Sequence, residues 1–215
     1  IQSVIWNQEE GVYAKLGGTF IIGQGMCGPT MMAYASESQK QRYLPKLASG
    51  EEVWCQLFSE PGAGSDLAGL QTRAVRDGDE WVVNGQKVWT SNAHLARWGL
   101  LITRTDPDAP KHRGLTYFGI DLDQPGVEIR PLRQITGQAE FNEIYLTDAR
   151  VSEADRMGDV GDGWRVALTT LMNERVAIGG GTRETGKTTV DWMLEAWNDH
   201  GHDDPARRDE MMRLW

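Results

Sequence analysis

Cysteine is scarce in this chain: Cys27 and Cys55 are the whole complement. Two such residues make neither a disulfide framework nor a metal-ligand cluster. They are expected to be buried free thiols in a reducing compartment, and no metal site is expected. Long apolar runs are missing, and none approaches the roughly 20 residues that span a bilayer. Positive charge is in deficit, with 22 Lys and Arg against 31 Asp and Glu and a net charge of −9. That balance argues against a nucleic-acid surface, which needs a basic face. It still allows an anionic ligand held by a few local cations. The opening Ile1-Gln2-Ser3-Val4-Ile5-Trp6 lacks the pattern of a signal peptide. There is no repeat and no low-complexity linker. There is also no initiator Met, and no helix stop at Leu214-Trp215, so the chain reads as a fragment. Targeting signals cannot be judged from a fragment.

What is present changes character twice. Its 215 residues suffice for one large domain or two small ones. Residues 7–50 read as helical with glycine breaks. Ser36, with Gln39 three residues on, forms a capping box for a helix expected to end near Pro45. Residues 53–155 alternate short Trp-, Val-, Ile-, Tyr- and Thr-rich segments with turn residues. Strands are expected near Val53–Phe58, Thr72–Arg76, Trp81–Asn84, Lys87–Thr90, Gly99–Arg104, Thr116–Asp121, Val127–Pro131 and Asn142–Thr147. Asp77-Gly78-Asp79 and Asn84-Gly85 read as hairpin turns. About eight strands without intervening helices point to an antiparallel barrel or sandwich. From Gly161 helix returns, with an apolar stripe at Val166, Leu168, Leu171, Met172, Val176 and Ile178. Gly179-Gly180-Gly181 weakens it, Thr188–Trp197 resumes it, and Asp203–Trp215 starts another helix behind Pro205. The fold class is therefore α+β and multi-domain. The expected divisions are 1–50 helical, 51–160 a β domain and 161–215 helices of a bundle.

Helix, then strand, then helix excludes simple βαβ alternation, and two glycine motifs fail on that ground. Gly23-Gln24-Gly25-Met26-Cys27-Gly28 matches a dinucleotide loop. The next strand begins only near Val53, and Pro29 removes an N–H where phosphate would need a donor. Helix packing explains those glycines better. Gly181-Thr182-Arg183-Glu184-Thr185-Gly186-Lys187-Thr188 matches a phosphate loop, yet only helix-like sequence follows and no sheet can form around it. Arg183, Glu184 and Lys187 read as solvated.

The run Ser59-Glu60-Pro61-Gly62-Ala63-Gly64-Ser65-Asp66 has small residues after a strand. Such a backbone can approach a ligand closely, and consecutive N–H groups can form an anion nest. Alone it would pass for a surface loop. Its neighbours are Trp54-Cys55-Gln56-Leu57-Phe58, Leu67-Ala68 and, further on, Val83-Asn84-Gly85-Gln86-Lys87-Val88-Trp89-Thr90-Ser91-Asn92. Arg104-Thr105-Asp106-Pro107, Pro125-Gly126-Val127, Phe141-Asn142-Glu143-Ile144 and Gly161-Asp162-Gly163-Trp164 follow in order. With these motifs the chain resembles the acyl-CoA dehydrogenase family over nearly its whole length. The resemblance implies a helical domain, a β domain and a second helical domain, with FAD between the last two.

Residue by residue, the resemblance implies that Gln56, Leu57, Phe58 and Ser59 run along the flavin ring. Trp89 would pack on the ring, with Thr90 beside it, and Ser91 would bond near its reactive nitrogen. Gly64 and Ser65 would sit by the pyrophosphate, and Ser65 would also touch acyl-CoA. A flavin is an apolar ring with a polar rim, which suits aromatic packing and a few fixed donors. A core Trp and turn-capping hydroxyls are the bland alternatives. The implied reaction is α,β-dehydrogenation of an acyl-CoA thioester, in which a carboxylate takes the α proton and hydride leaves the β carbon. In most of the family that base lies beyond residue 215. In a minority it lies on the first helix after the β domain, where Glu174 falls. An ion-paired glutamate, perhaps with Arg175, is the alternative. Arg175 and the loop Lys111-His112-Arg113 match positions near CoA. Many members carry Arg-x-x-Phe-Gly after this helix, and Asn198–Trp215 does not. The resemblance further implies a cytoplasmic, bacterial-type enzyme of fatty acid and lipid metabolism. It would be a homotetramer or another homo- or hetero-oligomer, with electron-transfer flavoprotein as acceptor. An acyl-CoA oxidase, a flavin monooxygenase and a non-catalytic partner subunit remain open.

Overall fold

The computed structural model describes residues 18–179 and 189–199, with isolated positions at 205, 209 and 213. It divides into two units, Lys15–Gly180 on one side and Ile1–Ala14 with Gly181–Trp215 on the other. The helical reading before residue 18, the Gly181–Thr188 motif and all but three positions of the Asp203–Trp215 helix lie outside the described residues.

Gly23–Cys27 forms a π-helical turn that runs directly into helix α1 (Gly28–Tyr34), whose second residue is Pro29. The dinucleotide-like glycines therefore sit in helix, as the packing reading requires. Helix α2 spans Glu37–Ser49. Its capping box closes as expected: Gln39 N–H donates to Ser36 Oγ at 3.2 Å, and Ser36 N–H donates to Gln39 Oε1 at 2.7 Å. Its end is a correction, because Pro45 lies inside the helix and Gly50 stops it with φ of 76°. A proline removes one helical N–H, whereas a left-handed glycine satisfies the last carbonyls. Here Gly50 N–H bonds Leu47 O at 3.2 Å.

Eight strands follow: β1 (Trp54–Leu57), β2 (Arg73–Asp77), β3 (Glu80–Ser91), β4 (Trp98–Arg104), β5 (Leu115–Asp121), β6 (Val127–Leu132), β7 (Phe141–Ser152) and β8 (Arg156–Met157). They form one sheet in the order β6-β7-β3-β2-β4-β5-β8, with β1 on β4. The sheet is mixed, not purely antiparallel as expected. β1 runs parallel to the first half of β4, and β2 meets its end in parallel at Arg104. One edge of β4 thus serves two strands.

Asp77-Gly78-Asp79-Glu80 is the expected tight hairpin, with Gly78 at φ of 62°. Asn84-Gly85 is not a turn, and β3 runs straight through it. Its partner is β7, about 60 residues downstream, and the register shifts there between Val83 and Gly85. Asn84 spans the irregularity, accepting from Asp148 N–H at 2.9 Å and donating to Asp148 Oδ1 at 3.0 Å. Gly85 is glycine because a side chain would collide with Thr72.

Alternation along β1 divides the core. Cys55 and Leu57 join Val83, Leu101, Phe118 and Ile144 within the curve of the sheet. Trp54 and Phe58 face the helices with Met26, Leu47, Tyr117 and Val166. Helix α3 (Gly163–Gly179) packs on that second face through Val166 and Ala167. In the other unit the described element is helix α4 (Thr189–Asp199). Among the described residues no helix is long and apolar enough to cross a membrane. Cys27 and Cys55 are free and buried, and burial pushes both thiols up, Cys27 also through its neighbour Cys55.

Candidate functional site: a pinned loop beside a bulged strand

The loop after β1 has little regular structure, yet the chain around it holds it at several points. Ser59 O accepts Val88 N–H at 2.9 Å. Glu60 and Ala63 exchange backbone bonds at 3.0 Å across Pro61-Gly62, making a tight turn. The Glu60 carboxylate then reaches across the loop's base. It accepts Gln71 N–H at 2.6 Å and Thr72 N–H at 2.9 Å. Lys87 of β3 donates to the same carboxylate at 2.9 Å and to Phe58 O at 3.0 Å, with its side chain at 0 % exposure. From the far side, buried Arg104 donates to Leu70 O at 3.0 Å and Ala68 O at 2.6 Å.

The two ionisable partners titrate lower for opposite reasons. Burial drives Lys87 down to about 8 against the pull of Glu60. Burial would raise Glu60, but the Lys87 ammonium and the two backbone donors outweigh it and hold Glu60 below its ordinary value. Sequence reading assigned Glu60, Lys87 and Arg104 no role. A lysine in the middle of the apolar and β-branched residues of β3 was the available signal, because a fully buried lysine requires a partner.

Pinning leaves a specific surface open. Ala63 plugs inward at 2 % exposure, while Gly62, Gly64 and Ser65 stay exposed. A Cβ built on Gly62 or Gly64 would meet nothing within 4 Å, and neither has positive φ. Neither packing nor backbone conformation demands glycine there. Among the described residues, the N–H groups of Gly64 and Ser65 meet no protein acceptor. A backbone both open and donor-rich is what an anionic ligand requires.

Across from the loop, β3 bulges between Lys87 and Thr90 where it pairs with β7. Trp89 occupies the bulge with φ of 60° and 61 % exposure, its ring edge-on to Phe141 at 6.0 Å. A bulky residue in the left-handed region costs about 1–2 kcal/mol, and bulges re-aim side chains beside sites. Thr90 is buried, its hydroxyl without a partner, and Ser91 is half-buried on Phe141.

The middle domain of the acyl-CoA dehydrogenases matches residues 55–149, and their N-terminal domain matches residues 2–51. Acyl-CoA dehydrogenase FadE34 of Mycobacterium tuberculosis is 57% identical over 154 residues, which is 72% of this chain and 22% of that protein. Acyl-CoA dehydrogenase IpdE1 of the same organism is 46% identical over 195 residues, 90% of this chain and 51% of its own. Among solved structures, the Tcur3481-Tcur3483 steroid ACAD superposes with a TM-score of 0.78 at 37% identity, covering 88% of this chain and 49% of that one. The chain belongs to the acyl-CoA dehydrogenase family. It spans about half the length, or less, of the curated relatives it matches.

Family membership makes this a flavoprotein fold, and the site can be tested against that group. The residues fit: an open glycine backbone with free donors for phosphates, an exposed indole for a ring, and half-buried hydroxyls at Ser59 and Ser91. Gln56 and Leu57 lie on β1, and Phe58 is buried just beyond it. Lys111 donates to Asp66 at 2.8 and 3.0 Å, which sets the Lys111-His112-Arg113 loop against the pinned loop. The ring of His112 lies 4.8 Å from Trp164 at the start of α3. The structure brings together Lys111 and Asp66, the neighbour of Ser65 in the chain, and separately Gln56 and Glu174. Arg175 is exposed further along α3.

Proposed function

We propose that the protein is an FAD-dependent acyl-CoA dehydrogenase acting at Cα–Cβ of a thioester. The observation that carries this is the glycine backbone at Gly62 and Gly64, open and conformationally unforced, on a loop whose Ser59 bonds Val88 beside the bulged and exposed Trp89. In this reading Gly64 and Ser65 hold pyrophosphate, and the Gln56–Ser59 backbone with Ser59, Trp89, Thr90 and Ser91 lines the ring. Ser65 and Arg175 take the CoA portion of the substrate, with the Lys111–Arg113 loop nearby.

When bound, FAD supplies the acceptor for the hydride that leaves the β carbon. The protein's own part is to fix the acyl chain, exclude water and take the α proton at a carboxylate. That carboxylate is Glu174. Its spacing on α3 supports the role: positions three and four residues away are Thr170, Leu171, Ala177 and Ile178, so no helical neighbour neutralises it. Arg175, one residue on, does not share its face. The division at 1–50, 51–160 and 161–215 belongs to the same reading. The change to strand between Ser49 and Trp54, and back to helix between Met157 and Gly163, supports it. An oligomer passing electrons to an electron-transfer flavoprotein in lipid metabolism is part of the same proposal. Leu168, Met172 and Val176 form an exposed apolar row on α3, the latter two at 67% and 75% exposure, which suits a subunit contact.

The purified protein is expected to be yellow and to bleach anaerobically when acyl-CoA is added. Glu174→Gln is expected to lower the bleaching rate by about 10³-fold or more. An unchanged rate removes Glu174 as the base. Absence of bleaching in the wild type indicates a non-catalytic subunit, and oxygen consumption at the turnover rate indicates an oxidase.

A further inference from the structure

Two polar residues interrupt two apolar stripes, and they interrupt them at the same place. Along β1 and the residue after it, the face toward the helices reads Trp54, Gln56, Phe58, and both aromatics are buried. Gln56 is the lone amide in that row. On α3 the inward stripe reads Val166, Thr170, Glu174 at four-residue spacing. Val166 is fully buried, and Thr170 is satisfied by Thr30 Oγ1 and Tyr117 OH, each at 2.9 Å. Glu174 ends this stripe with a half-buried carboxylate. Leu168, Met172 and Val176 face the other way, toward solvent. Gln56 Nε2 donates to Glu174 Oε2 at 3.3 Å.

Each residue is explained by the other. A glutamine between two buried aromatics costs free energy unless its amide is bonded. A half-buried carboxylate with no cation three or four residues away on its own helix draws its donor from outside that helix. A carboxylate accepts only, so the nitrogen end of the amide faces it. The bond engages one carboxylate oxygen, Oε2, and leaves Oε1 to receive a proton. It also restricts rotation of a side chain that must meet a substrate carbon within a fraction of an ångström.

We infer that Gln56 is the positioning residue for Glu174: its backbone serves the strand beside the ring, while its side chain aims the carboxylate at the substrate's α carbon. This rests on the reading of Glu174 as the base. The role needs an amide at position 56 and a carboxylate at position 174 together.

The test uses the intact holoprotein with a 3-thiaacyl-CoA, in which sulfur replaces the β carbon, so that no hydride can leave. Exchange of the α proton with solvent deuterium, followed by mass spectrometry, then reads proton removal alone. Gln56→Met keeps length and loses the donor. It is expected to slow exchange about tenfold, the size of one charge-assisted hydrogen bond. It should lower kcat for an oxidisable acyl-CoA by the same factor and leave KM, flavin absorbance and melting temperature as in the wild type. In a Glu174→Gln background the same substitution should change the residual exchange no further. Gln56→Ala serves as the second variant where Gln56→Met folds poorly. If Glu174→Gln abolishes exchange while both Gln56 variants exchange at the wild-type rate, the inference is wrong and the base assignment stands. If Glu174→Gln exchanges normally, the base assignment is wrong and the inference goes with it. A drop in flavin content or melting temperature proportional to the loss of exchange also overturns it, since that is a packing role.

Discussion

Two stretches of this chain carry glycines at similar density, and the glycines are there for opposite reasons. In Gly23–Gly28 each one faces protein. A Cβ on Gly25 would stand 2.8 Å from Ala177 Cβ, one on Gly23 would meet Trp54, and one on Gly28 would meet Leu47. In Gly62–Gly64 a Cβ would meet nothing. The first stretch is helical, and small residues let helices approach. The second is a loop immobilised from below, whose small residues keep its upper surface clear. A glycine pattern therefore gains meaning from what comes near it, and only the second kind leaves a surface open to a ligand.

The contrast depends on the loop being rigid, and the largest expected effect comes from removing what makes it so. Lys87→Met leaves Glu60 charged and buried, and Glu60→Gln leaves Lys87 in the same position. Either is expected to cost about 3–5 kcal/mol of stability, measured by urea unfolding, and to release flavin on gel filtration. The same pair sets a pH dependence. Glu60 is held below its ordinary 4.5 in the fold, so its contribution is complete above that value. It is lost as pH falls through the lower folded value. An acid titration of the unfolding midpoint should therefore drop more steeply below pH 4.5 in the wild type than in Glu60→Gln.

A smaller effect separates the two glycine sets. Gly25→Ala is expected to destabilise the fold by about 1–3 kcal/mol through the clash with α3, with flavin content per folded molecule unchanged. Gly64→Ala is expected to change stability by less than about 0.5 kcal/mol, since its side chain would enter open space. It should nevertheless weaken flavin retention on dialysis. If both variants lose stability and keep flavin, the distinction drawn above fails.

Much of this was legible in the sequence, and the exceptions share a cause. The capping box at Ser36 and Gln39 and the hairpin at Gly78 are local, and both closed as expected. The in-line glycines of Gly23–Gly28 were correctly taken as helix packing, because their surroundings lacked a βαβ unit. Asn84-Gly85 misled because Asn-Gly is a turn signal only when its two flanks pair with each other. Here both flanks pair with β7, about 60 residues away. Pro45 misled in the same way, since Gly50 in the left-handed region decides the helix end. At the candidate site, the loop and Trp89 were singled out from residue order alone. The supports beneath them, Glu60 with Lys87 and Arg104, and the meeting of Gln56 with Glu174, are contacts between distant positions. No local pattern encodes those pairings.

β1 has a consequence for how such a protein can vary over time. This strand and the residue after it feed two cores by turns, with Trp54 and Phe58 on one side and Cys55 and Leu57 on the other. Inserting or deleting one residue here would exchange the occupants of both cores and swing position 56 away from Glu174. Changes of length are thus closed to this strand, and its lineage can explore only replacements made one face at a time.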